Sequence, residues 1–182
     1  MNNKLPRKKT IDLGVFEELE PFHWKVDFGW IIENGGFDVV IGNPPYGGNL
    51  REIEKLLNDP NNITSKRNIA KVFILRGFQL AKDGGYISLI VPKSLTYASD
   101  WEGVRKFLLD PLKELYDVKE AFKDVLLEQV IFVAKKNAKF EIYKTRDLFR
   151  SKNSIDIPKD SLPVDTFYWT KESFGFSFPE LF

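Results

Sequence analysis

Cysteine is absent from the 182-residue chain, and histidine occurs once, as His23. The first absence excludes a disulfide scaffold, a thiol nucleophile and any Cys-ligated zinc or iron–sulfur site. The second argues against a His-rich metal centre and against a Ser-His-Asp triad. Neither sign of charge dominates: 27 Lys and Arg face 26 Asp and Glu, so net charge points to no partner. Long apolar runs are missing too. The longest, such as Val39-Val40-Ile41 and Ile87 to Val91, fall far short of the ~20 residues of a membrane span. The N-terminal Met1 to Lys9 is basic but has no apolar core of a signal peptide. A soluble, cytoplasmic chain is therefore expected. At 43% hydrophobic residues it can build a core, and its length matches about one domain.

Three zones separate by texture. Residues 1–36 read as an irregular lead-in, with a short helix around Ile11 to Leu19 and aromatics at Phe22, His23, Trp24, Phe28 and Trp30. Residues 37–145 alternate strand-like runs with helical periodicity. Residues 146–182 carry Pro158, Pro163 and Pro179 among many aromatics and read as loop-rich. In the middle zone, Phe37 to Ile41 is a short buried-strand pattern between Gly36 and Gly42. Leu50, Ile53, Leu56 and Leu57 share a helical face that Asn58-Asp59-Pro60 ends. Ile69 to Lys82 predicts a helix with Ile69, Val72, Phe73 and Leu80 as its stripe. Gly77 within it implies close approach to a sheet. Asp83-Gly84-Gly85 reads as a turn, and Tyr86 to Val91 as a second buried strand. Ser99-Asp-Trp-Glu102 matches a capping box, with Trp101, Val104, Phe107 and Leu108 as the apolar face behind it. Leu115 to Val118 and Gln129 to Ala134 read as further strands. This alternation defines an α/β fold, with a largely parallel sheet expected.

Asn43-Pro44-Pro45-Tyr46 follows the first strand directly, where α/β sheets bind ligands. The prolines fix their own φ and hold Asn43 extended, so the segment is rigid without other support. The Asn43 side-chain carbonyl and the Pro44 main-chain carbonyl are two neutral acceptors, matched to the two hydrogens of an –NH₂ group. Tyr46 adds a flat face for a planar ring. Accepting both hydrogens favours a pyramidal nitrogen and frees its lone pair for attack. Amine methylation, with an adenine as acceptor, needs no metal, Cys, Ser or His. A plain loop, or a proline-rich ligand for a WW-type domain, is the competing reading.

Phe37-Asp-Val-Val-Ile-Gly-Asn-Pro-Pro-Tyr46 resembles the catalytic motif of S-adenosylmethionine-dependent adenine-N6 DNA methyltransferases. The likeness is to the gamma class of type II restriction–modification systems, including type IIG enzymes, and extends over about 37–145. Val72 to Ser94 is similar to that family's helix, Gly-Gly turn and next strand. Ala121-Phe122 to Phe132 resembles its late base-holding segment, and His23-Trp24 with Asn34-Gly35-Gly36 resembles the type IIG lead-in. The resemblance implies that Asn43 and Pro44 accept hydrogen bonds from the adenine amino group and that Tyr46 stacks on the flipped base. It further implies that Phe122 packs on that base, and that Pro45 and Phe73 border the cofactor's adenine. The target must leave the duplex, because its N6 is otherwise paired.

Several of these residues have a plainer reading. Phe73 on a helical stripe can be core, and His23 reads as packed or surface. Lys66, Arg67, Lys71 and Arg76 form a run without acids: either a solvated face or phosphate contacts beside the catalytic loop. Lys93, just after a strand, is a further phosphate candidate. Phe167, Tyr168, Trp169, Phe174, Phe176 and Phe178 fit core or docking better than DNA contact, because the 137–182 charges cancel, seven of each sign. A target-recognition region could begin there.

The family also uses a glycine-rich strand–turn–helix for the methionine end of the cofactor, and the chain contains no Gly-x-Gly. No Pro-Asp…Glu-x-Lys nuclease constellation is found either. The expected fold is accordingly the second half of a doubly wound, Rossmann-like methyltransferase sheet with irregular flanking segments. The expected role is a part of a restriction–modification methyltransferase, with DNA, S-adenosylmethionine and a cofactor-binding half or another subunit as partners. A non-catalytic interaction module is one alternative; methylation of a protein glutamine or an RNA base is another. A half-sheet should expose an edge strand and an apolar patch, favouring self-association.

Overall fold

The computed structural model describes residues 24–46, 68–122, 127–148, 153–162 and 167. The expected helices at 11–19 and 50–57 lie outside these residues. So do Phe22, His23, Lys66, Arg67, Tyr168, Trp169, Phe174, Phe176 and Phe178. The chain divides into two units, Met1–Asn34 and Gly35–Phe182. In the first, two helical turns, α1 (Trp24–Asp27) and α2 (Gly29–Glu33), occupy part of the stretch expected to be irregular. Asn34 closes α2 by donating from its side-chain amide to the Trp30 carbonyl, 2.6 Å away. Turns this short carry no readable period.

Among the described residues, the second unit is a six-stranded sheet with two helices. Its elements are β1 (Phe37–Gly42), α3 (Ile69–Leu80), β2 (Ala81–Pro92), α4 (Glu102–Leu109), β3 (Leu112–Lys119), β4 (Gln129–Lys135), β5 (Ile142–Asp147) and β6 (Ile155–Pro158). The strand order is β1-β2-β4-β3-β5-β6. β1 runs parallel to β2, and β3 to β5; β4 is antiparallel to both β2 and β3, and β6 to β5. The sheet is therefore mixed, not largely parallel as expected. Helical crossovers keep strands parallel only where they occur: α3 lies between β1 and β2 and α4 between β2 and β3, whereas β4 and β6 follow short links and run antiparallel to their neighbours. One geometric consequence governs the rest: β1, β2, β3 and β5 all point the same way. Their carboxyl ends and the amino ends of β4 and β6 share one edge.

The core lies on one sheet face. Ile87, Leu89 and Val91 of β2, Phe132 of β4 and Leu115 of β3 meet Ile74 and Phe78 of α3 and Val104 and Leu108 of α4. At Gly77 α3 comes close to the sheet, as expected. A Cβ there would lie 3.2 Å from Ile87 Cγ2 and 3.6 Å from Val40 Cγ1. The Asp83-Gly84-Gly85 turn exists as an excursion inside β2. Phe37 pairs with Ala81 but Val39 with Tyr86, so residues 82–85 oppose Asp38 alone. Gly84 takes φ +74°, a conformation glycine adopts without strain.

Four expectations are corrected. β1 is not buried: Val39 is 57% and Ile41 80% exposed, because β1 forms an edge of the sheet among the described residues. Among the described residues β1 thus presents an edge with Val39 and Ile41 exposed. The α3 stripe holds at Val72, Gly77 and Leu80, which are buried, but the buried arc also takes in Ala70, Ile74 and Phe78 and leaves Phe73 exposed. The capping box does not form. Ser99–Trp101 tightens into a 3-10 turn, and α4 starts after Trp101 without a side-chain cap. Finally, the 146–182 zone contributes the end of β5 and the edge strand β6, with Pro158 at the end of β6, where a missing donor is tolerated. Phe167 from this zone is core, 6.0 Å between ring centroids from Tyr143.

Candidate methyl-acceptor site

Asn43 to Tyr46 leave β1 at the shared carboxyl edge. Asn43 is exposed, Pro44 buried, Pro45 exposed and Tyr46 half-buried. Burying Pro44 anchors the segment and leaves Asn43 facing solvent. The Tyr46 hydroxyl lies 3.4 Å from Asn43 Oδ1 and 3.4 Å from the Ile90 carbonyl on β2. With one hydrogen it donates to one of them at a time. Asn43 Oδ1 has two acceptor positions, so at least one stays available to an incoming –NH₂. Burial raises the Tyr46 phenol above its usual pKa, so the ring stays neutral.

Other expected site residues scatter. Phe73 stands 46% exposed on α3, available for a ring contact and not part of the core. Phe122 is 39% exposed, just beyond β3. Lys71 is neither solvated nor placed for phosphate. It is fully buried, its ammonium donating to the Asp100 carbonyl and lying 3.4 Å from Asp100 Oδ2 and 5.1 Å from the Trp101 ring centroid. The burial arc of α3 swings Lys71 inward, where Asp100 and Trp101 receive it. Arg76 donates to Gln79 Oε1 at 3.1 Å. Lys93 sits at the carboxyl end of β2 and is engaged: its ammonium is 2.6 Å from Glu128 Oε2 and 2.9 Å from Asp117 Oδ2. Burial pulls its pKa down, but the hydrogen bonds and charges of Glu128 and Asp117 outweigh it and raise the net value.

These contacts reveal residues that the sequence reading missed. Asp117 and Asp147 are fully buried, and Lys119 bridges them at 3.1 and 3.6 Å. Gln129, also buried, accepts from the Ala121 amide at 2.8 Å. A charged residue inside the apolar run Leu115 to Val118 is the signal that could have flagged Asp117.

No metal-ligating group of three or more His, Cys, Asp or Glu exists among the described residues, nor is any described helix long and apolar enough to cross a membrane. Phe73 and Pro45, expected at the adenine end of S-adenosylmethionine, are both exposed. The described residues contain no Gly-x-Gly turn for the methionine end.

The fold is that of S-adenosylmethionine-dependent methyltransferases with a Rossmann-like sheet. It matches a type I restriction–modification methyltransferase subunit from Streptococcus thermophilus with a TM-score of 0.55 and 20% identity, covering 75% of this chain and 32% of that one. It also matches a Listeria monocytogenes protein assigned as a class I S-adenosylmethionine-dependent methyltransferase, with a TM-score of 0.52, 23% identity and coverage of 62% and 37%. The chain belongs to the Eco57I restriction-modification methylase family, whose pattern matches residues 2–123. It is 36% identical over 138 residues to a Methanocaldococcus jannaschii protein assigned as a type II restriction enzyme and methyltransferase. That match takes in 74% of this chain but 12% of the relative's length, so the chain spans a small part of such a protein.

Proposed function

We propose that the chain carries the acceptor side of a restriction–modification methyltransferase that methylates the N6 amino group of a flipped adenine in DNA. The observation that carries this reading is the exposed Asn43 carbonyl oxygen on a rigid segment whose Pro44 is buried, at the carboxyl end of β1. S-adenosylmethionine, when bound, supplies the electrophilic methyl group. Asn43 Oδ1 and the Pro44 carbonyl accept the two amino hydrogens, so the nitrogen lone pair points away from the ring and becomes nucleophilic. Tyr46 stacks on the base, and Phe122 packs on its edge or other face. Pro45 and Phe73 border the cofactor's adenine. Lys66 and Arg67 are the phosphate candidates; Lys93 is occupied by Glu128 and Asp117. The remaining cofactor contacts come from a glycine-rich half or another subunit, and the setting is cytoplasmic.

The exposed β1 edge favours a second reading, a non-catalytic module that docks on a partner chain. Both are separable. The chain, supplied with a glycine-rich cofactor half, should transfer labelled methyl to adenine-containing DNA but not to a glutamine peptide or ribosomal RNA. Asn43→Ala should lower the rate by about 10²–10³, the usual loss when one polar stabilising group is removed from a reacting centre. DNA left unlabelled by the reconstituted enzyme, with Asn43→Ala indistinguishable from wild type, would reject the assignment. Calorimetric titration of the isolated chain with S-adenosylmethionine tests the docking module: saturable micromolar binding argues against it.

A further inference from the structure

The carboxyl edge holds a row of alternating charges: Glu128, Lys93, Asp117, Lys119 and Asp147. It crosses the ends of β4, β2, β3 and β5, with pair distances of 2.6, 2.9, 3.1 and 3.6 Å in that order. Both aspartates are fully buried. Burying carboxylates is costly, and apolar side chains of similar volume usually stabilise a fold at least as well. Stability alone therefore does not explain the row. Its geometry does more, because the atoms that carry the charges also fix the backbone leading to Phe122.

Asp117 Oδ1 accepts from the Lys119 amide at 2.9 Å, and Lys119 takes φ +48°, a left-handed conformation rare for a lysine. This turns the chain out of β3. Gln129 Oε1 accepts from the Ala121 amide at 2.8 Å, and Gln129 Nε2 donates to the Leu127 carbonyl. The backbone on both sides of the bend is thereby held, and the Phe122 ring is left exposed. Lys93 links this bend to β2: its amide donates to the Glu128 carbonyl at 2.9 Å, and its ammonium grips Glu128 and Asp117. Three residues earlier on the same strand, the Ile90 carbonyl faces the Tyr46 hydroxyl. β2 is thus the common reference for both Tyr46 and Phe122.

We propose that this charged row is a positioning device, with Lys93 as its pivot, that holds Phe122 in register with Asn43–Tyr46 at the acceptor edge. The role assigned to Phe122 rests on the adenine-acceptor reading above; the mechanical link does not.

The test uses the full chain with Lys93→Met, which keeps length and removes charge, and Lys93→Arg, which restores charge. Amide exchange of Lys119 and Ala121 should accelerate about tenfold or more in Lys93→Met, while Ile87 and Phe132 in the sheet stay unchanged, the pattern of a local opening. Lys93→Arg should keep the wild-type rates. Lys119 and Ala121 rates that do not change, or that change only in step with Ile87 and Phe132, would overturn the proposal. If Lys93→Met fails to fold, Asp117→Asn, which leaves Lys93 paired with Glu128, is read by the same criteria. In a second arm, a single-stranded oligonucleotide with 2-aminopurine at the target position is titrated by fluorescence. Wild type and Lys93→Arg should quench it, and Phe122→Ala and Lys93→Met should lose a measurable, similar part of that quenching, the remainder coming from Tyr46. Undiminished quenching in Lys93→Met refutes the positioning role. No quenching in wild type alongside the expected exchange pattern refutes the adenine reading and leaves the positioning link standing.

Discussion

Lys71 should tolerate loss of its charge better than its partner Asp100 does. The ammonium is fully buried in the first turn of α3, bonded to the Asp100 main-chain carbonyl, with Asp100 Oδ2 at 3.4 Å and the Trp101 centroid at 5.1 Å. The Asp100 carboxylate, by contrast, is 38% exposed and can be rehydrated. Lys71→Met keeps the stem and its packing. It gives up a charge-assisted hydrogen bond of about 1.5–3 kcal/mol and a cation–π contact of about 1–2 kcal/mol. It also removes a desolvation penalty of several kcal/mol, so the net change should lie within about 1 kcal/mol of zero. Asp100→Asn removes the carboxylate charge 3.4 Å from the buried ammonium. The loss should be about 1–3 kcal/mol, below the ~3–5 kcal/mol of a fully buried pair, because the carbonyl and the Trp101 ring remain. Lys71→Ala adds a cavity and should cost about 2–4 kcal/mol. Urea denaturation followed by circular dichroism gives all three values. A Lys71→Met loss larger than that of Asp100→Asn would refute this accounting. Because the ammonium is buried, Lys71→Met should also leave the salt slope of DNA binding unchanged, where a phosphate contact would reduce it by about one.

Three further outcomes can be checked. Gly77→Ala gains about 1 kcal/mol of helix propensity but sets a methyl 3.2 Å from fully buried Ile87, at a cost of about 1–3 kcal/mol. The expected net loss of about 1 kcal/mol would be contradicted by a higher melting temperature. Ile41→Lys on the open β1 edge should change unfolding free energy by less than about 0.5 kcal/mol while reducing self-association in light scattering. Monodisperse wild-type monomer would show that the edge is not adhesive. The Lys159 ammonium bonds the Leu109 and Asp110 carbonyls, and burial holds its pKa down to about 8, against opposing effects of Asp110 and Glu141. Between about 8 and its ordinary 10.5 the unfolded chain binds more protons, so stability should rise with pH across that window. Lys159→Met should flatten the rise measured by denaturation midpoints; an unchanged slope would remove Lys159 as its source.

Much of the fold was legible where the physics is local. Tyr86 to Val91 reads as a buried strand because it is one, with Ile87, Leu89 and Val91 all inside. β5 was invisible for the opposite reason: its inward positions are Tyr143, Thr145 and Asp147, so alternation survives in the burial but not in the hydrophobicity. The capping box failed through a tertiary contact. The carbonyl of Asp100, inside that tetrapeptide, receives the buried Lys71, and the chain tightens into a 3-10 turn before α4 begins. In α3 the expected stripe holds at Val72, Gly77 and Leu80 and fails at Phe73, because the buried arc is centred nearer Ala70 and Gly77, small residues that let the helix approach the sheet.

The acceptor motif and the charged row contrast in the same way. Asn43 to Tyr46 announces itself because two adjacent prolines set the backbone whatever surrounds them. Lys93 and Asp117 do not announce each other: Lys93 reads as a phosphate candidate, and Asp117 only as a charge inside an apolar run. They meet only because β4 inserts between β2 and β3 and brings both carboxyl ends to one edge. A lysine just past a strand at that edge has two fates: phosphate contact if its neighbours are neutral, internal clasp if a strand away lies a buried carboxylate. The antiparallel insertion of β4 selects the second for Lys93. On the DNA-adenine reading proposed above, cationic contacts to DNA would then come from elsewhere, with Lys66 and Arg67 the first residues to substitute.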